Sequence, residues 1–75
     1  MKTIKDTLRK NSLKMKYENI LFDLETSNDS SEWIIEKYDC SRAELIKKVG
    51  KIEFDLIEFF SKKEIENIKQ KAINF

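Results

Sequence analysis

Cys40 is the only thiol in the chain, and no histidine accompanies it. A cysteine acts as a nucleophile or metal ligand in its thiolate form, which needs a nearby base or cation. The histidine that most often supplies that base, or performs acid–base chemistry itself near neutral pH, is missing. Glu32 and Glu36 stand one helical turn apart like a pair of divalent-metal ligands, but no histidine or third carboxylate groups with them, whereas hard cations take about six or more oxygens. A single glycine, Gly50, cannot make the glycine-rich loop that cradles a phosphate. These residue types point away from catalysis, from a cofactor or metal and from a small-molecule substrate. They leave binding to another macromolecule as the expected chemistry, with Cys40 a small, partly buried turn residue.

The next candidates lie in "IIEKYDCSRAELIKKV", residues 34–49. This stretch is similar to the bihelical units of small bacterial repressors: a helix, a tight turn, a polar helix start, then an inward apolar residue. The resemblance implies a DNA-binding transcriptional regulator. In it Cys40 is the buried turn residue and Leu45 the inward anchor, while Ser41, Arg42, Lys47, Lys48 and Lys51 make groove and phosphate contacts. The chain departs from that pattern at Ile35, where crossing helices want a small residue, and at Asp39, where glycine normally takes the left-handed turn. Glu44 would also face the phosphates.

The elements that must position these residues are helical. There is no proline and one glycine, and Lys, Glu, Leu and Ile abound, a composition that favours helix. Leu13, Tyr17, Ile20 and Leu24 recur at spacings of four, three and four and predict a helix beginning near Ser12. "SNDSSE" then breaks the pattern. Asp29 with Glu32 reads as a capping box for a short helix containing Trp33, Ile34 and Tyr38, with Trp33 the expected anchor of a small core. Ser41 with Glu44 starts the next helix just after Cys40. Its stripe of Leu45, Val49, Ile52, Leu56 and Phe59 predicts one helix to about Phe60, or two collinear pieces hinged at Gly50. "KIEFDLIEF" also alternates like a strand, but it lacks turn signals. Ser61 with Glu64 makes a third capping box, and Ile65, Ile68, Ala72 and Phe75 stripe the last helix. The expected fold is all-α: a single domain over 1–75, a small bundle of four to five short helices with a helix-turn-helix-like corner at 31–50.

Charge is balanced overall but unevenly placed. Residues 1–16 hold six basic side chains against Asp6, and residues 17–40 hold seven acidic ones against Lys37, so the segments carry +5 and −6 and are expected to attract each other in the fold. No apolar run reaches the roughly 20 residues that cross a bilayer, and "MKTIKDTLRK" lacks the apolar centre of a secretion signal. With the lone thiol, this points to the cytoplasm and away from the membrane. The richness in Lys, Ile, Asn and Glu suits an AT-rich bacterial genome or its phages and other mobile elements.

A chain of 75 residues buries only about 60% of its unfolded surface, and small scaffolds usually add staples or subunits. Two helices carry a second apolar side: Met15 and Phe22 lie opposite the Leu13–Leu24 stripe, and Phe54, Ile57 and Ile46 lie off the Leu45–Leu56 stripe. These five residues are the expected protein interface. The favoured role is a regulator, inhibitor or accessory protein acting by protein–protein interaction, as a homodimer or on a protein partner. DNA binding is the alternative.

Overall fold

The computed structural model describes residues 4–73. Four helices follow in order, with no strand among the described residues: α1 (Ile4–Glu25), α2 (Glu32–Tyr38), α3 (Arg42–Leu56) and α4 (Lys62–Ile73). Helix α1 packs against both α3 and α4, and α2 packs on α3. The core runs along these seams. Tyr17, Ile20 and Leu24 come from α1, Ile34 from α2, Leu45, Val49 and Leu56 from α3, Ile65 and Ile68 from α4, and Cys40 from the corner. Leu13, Leu21, Tyr38, Ile52 and Phe60 close its margins. Phe75 of the expected α4 stripe lies outside the described residues.

Helix α1 starts at Ile4, two turns before Ser12. The inward stripe begins only at Leu13, because Ile4 and Leu8 face solvent; good helix formers without a buried partner carry the helix back beyond the reach of core periodicity. At its other end the orphan carbonyls find side-chain donors. The Thr26 hydroxyl donates to the Phe22 carbonyl (2.9 Å) and the Ser27 hydroxyl to the Leu24 carbonyl (3.3 Å).

The expected Asp29–Glu32 capping box does not form. Ser31 occupies the N-cap position of α2 without a side-chain cap bond. Its hydroxyl instead accepts from the Asn28 N–H (3.0 Å), while Asn28 Oδ1 accepts from the Ser30 N–H (3.0 Å) and hydroxyl (2.6 Å). A local asparagine turn has captured the cap. Trp33 is not the core anchor either: it is 40% exposed, and Ile34 is fully buried in its place. A two-turn helix turns one face inward, and Ile34 and Tyr38, four apart, make that face.

Asp39 ends α2 in the left-handed conformation (φ 55°, ψ 36°), its N–H donating to the Ile35 carbonyl at 2.9 Å. It is the only described non-glycine residue with positive φ. Aspartate tolerates this region better than most residues, so the corner forms without glycine. Ile35 is exposed and crowds nothing. Ser41 caps α3, its hydroxyl accepting from the Glu44 N–H (3.2 Å).

Helix α3 is continuous through Gly50 and ends at Leu56 rather than Phe60. A tightened turn follows, with Ile57 N–H to the Phe54 carbonyl (3.2 Å) and Phe59 N–H to the Leu56 carbonyl (3.0 Å). Ser61 then starts α4 with a complete capping box: its hydroxyl accepts from the Glu64 N–H and its own N–H donates to Glu64 Oε1, both at 3.2 Å. No helix among the described residues is long and apolar enough to cross a membrane.

The two oppositely charged segments do not face each other across the fold. The basic segment and the start of the acidic one, with Glu18, Asp23 and Glu25, lie end to end on α1, so attraction cannot fold those parts onto each other. Arg9 instead meets Glu58 (3.4 Å) and stacks over Phe59 (5.5 Å), and Lys10 lies over Phe60 (4.8 Å). The basic half of α1 thereby clasps the α3–α4 turn.

Candidate protein interface

At 100° per residue, the buried stripe of α3 (Leu45, Val49, Ile52, Leu56) occupies about 60° of arc, with Phe54 about half a turn away and Ile46, Gly50 and Ile57 between. The structure leaves this outer arc open: Phe54 is 74% exposed, Ile57 52% and Ile46 49%. A Cβ built on Gly50 would meet nothing within 4 Å. On α1 the arc opposite the core holds Met15 at 63% and Phe22 at 43% exposure. Ile4 and Leu8 lengthen it toward the N-terminus. Those two escaped the sequence reading because the helix was expected to begin after them; their spacing from Met15 and Phe22 was the signal that could have found them. Since α1 packs on α3 and α4 through its inner side, the outer arcs of α1 and α3 are two separate surfaces.

The residues proposed for DNA are placed differently from one another. Lys47, Lys48 and Lys51 are exposed, but Glu44 and Asp55 lie within the same arc of about 100°, interleaving negative with positive charge. The Ser41 hydroxyl is engaged as the α3 cap. Arg42 is not presented as a groove contact. Its guanidinium reaches back to the end of α1, donating to the Leu24 carbonyl (2.8 Å), to the Ser27 hydroxyl (3.1 Å) and to Asp29 (3.4 Å). Helix α1 has no basic residue in its own last turn, and Arg42 supplies the cation that its negative dipole end favours.

A second polar cluster was not anticipated. Asp23 is buried on α1, where it accepts from Lys37 Nζ (2.8 Å) and from the Tyr38 hydroxyl. Burial and that hydrogen bond raise the pKa of Tyr38. The cluster docks α2 onto α1.

Between α3 and α4 a surface cleft of about 240 Å³ is lined by Glu53, Ile57, Lys62, Ile65 and Glu66. It falls below the roughly 300–1,000 Å³ typical of small-molecule sites. The hydroxyl of Tyr17, on the neighbouring helix, is buried without a hydrogen-bond partner. Burial, then the charges of Glu53 and Glu66, push its pKa up to about 12. Glu32 and Glu36 are exposed on α2, and among the described residues no group of three or more His, Cys, Asp or Glu side chains converges as metal ligands would. Cys40 is a free thiol buried in the core. No protein-family model, curated protein or solved structure matches the chain.

Proposed function

We propose that this chain is a small non-enzymatic helical protein that acts by protein–protein interaction, as a regulator, inhibitor or accessory protein, and that it self-associates. One observation carries this reading. The outer arcs of α1 and α3 expose large apolar side chains, Met15 and Phe22 on one and Ile46, Phe54 and Ile57 on the other, while the inner faces of both helices are already committed to the core. Contiguous exposed apolar surface on a small protein marks an interaction site. DNA binding stands second, because its arginine is engaged within the chain and its lysines alternate with carboxylates.

Sedimentation at micromolar concentration tests the proposal: a dimer or higher assembly is expected. At least one of Met15→Glu and Phe54→Glu should lower association without lowering the melting temperature, since surface changes usually stay within about 0.5 kcal/mol. Leu56→Ala, at a fully buried site, should instead cost about 2–5 kcal/mol of folding stability. A wild-type chain that stays monomeric throughout the range overturns the proposal. Salt-sensitive binding to DNA fragments would favour the alternative.

A further inference from the structure

We infer that a second copy of this chain docks on the outer arc of α1, with the two helices antiparallel and centred near Met15. The inference rests on the self-association proposed above and specifies its face and direction. Ile4, Leu8, Met15 and Phe22 all lie within about 40° of one line along α1, and all four are exposed. The line runs about 27 Å at 1.5 Å per residue, long enough for a helix–helix seam.

Charge chooses the direction. Arg9 and Lys10 are turned toward their own chain, on Glu58, Phe59 and Phe60. Lys5 and Lys14 precede Met15, while Glu18 and Glu25 follow it, with Lys16 on the opposite flank. Lys14 and Glu18 lie on the same flank of the exposed line, about 40° apart. A parallel two-fold pair would put this flank of the two copies on opposite sides of the seam, where Lys14 and Glu18 of one both meet Lys16 of the other and repulsion offsets attraction. An antiparallel pair centred on Met15 sets Lys14 of each copy beside Glu18 of the other, twice by symmetry, and brings Leu8 over Phe22 of the second copy. The arrangement is isologous and closes at two chains. The α3 arc stays outside the seam.

Sedimentation and cysteine cross-linking of the full chain test this. Phe22→Ala should weaken dimerisation by about 30-fold, the loss typical of an interface aromatic. Lys14→Glu or Glu18→Lys alone should weaken it by about tenfold, because each creates two like-charge contacts, and the double exchange should restore it. Leu8→Cys chains mixed with Phe22→Cys chains should form the mixed disulfide under mild oxidation, with Cys40 held back by burial. Three results overturn the inference: Leu8→Cys chains linking to one another in preference, single charge reversals not rescued by the double exchange, or a dimer indifferent to Met15→Glu but lost with Phe54→Glu. The last leaves self-association standing and moves it to α3, whereas a monomeric wild type removes both.

Discussion

Tyr17 is fully buried, yet its hydroxyl has no partner. A buried unsatisfied polar group costs about 1–3 kcal/mol, so Tyr17→Phe should stabilise the fold and raise the melting temperature by about 4–8 °C per kcal/mol gained. A lower melting temperature would mean that the hydroxyl is bonded in solution. The same residue sets an alkaline limit. In the folded chain its pKa rises from 10.0 to about 12, and that of Tyr38, the only other tyrosine, is raised as well. The folded state thus holds both protons more tightly than the unfolded state. Its advantage is complete below pH 10.0 and lost as the pH climbs toward about 12. Titration followed by tyrosinate absorbance and helical dichroism should show both tyrosines ionising as the helices melt. Arg42 carries the opposite lesson: Arg42→Ala should destabilise by about 1–3 kcal/mol by baring the end of α1, measured as a lower urea midpoint. Inward positions such as Tyr17, Leu45 and Leu56 were legible from spacing alone. The roles of Arg42 and Asp23 were not, because their partners stand 18 residues upstream at Leu24 and 15 downstream at Tyr38, distances at which periodicity says nothing.

Among the elements, those announced by a capping signal before an apolar stripe emerged where expected. Ser41 opens α3 and Ser61 opens α4 with bonds their spacing foretold. Where two signals competed, the more local one won: Asn28 engaged the Ser31 hydroxyl, and the Asp29–Glu32 pair was left without a helix start. Gly50 sits in the interior of α3 with open space where a side chain would go. Gly50→Ala should therefore stabilise the isolated chain by about 1 kcal/mol through helix propensity alone, read in thermal melts at dilutions where the protein is monomeric. A loss of stability would show that α3 is strained there.

Taken whole, the molecule measures 45 × 24 × 18 Å, elongated because α1 spans most of its length while three shorter helices share one side of it. The all-α class and the presence of two exposed apolar arcs were legible in composition and wheel geometry. The course of the charges was not: +5 and −6 segments suggested mutual attraction, but the first and the start of the second succeed each other along α1, which keeps those parts apart. What remains is an α1 whose basic side chains crowd its first half while Glu18 and Glu25 stand in its second, a polarity that favours antiparallel overlap of two copies.

Helix α2, at seven residues, is far below the roughly 12–15 needed for a helix to persist alone in water. It survives by the insertion of Ile34 and by the Asp23 cluster, so it should be the first part of the molecule to open. Its amides should exchange with deuterium well ahead of those in the centre of α1. Trp33, the only tryptophan, rides on this segment half in solvent. Its fluorescence should therefore follow the undocking of one short helix, and should change at lower denaturant than the helical dichroism that follows the bundle.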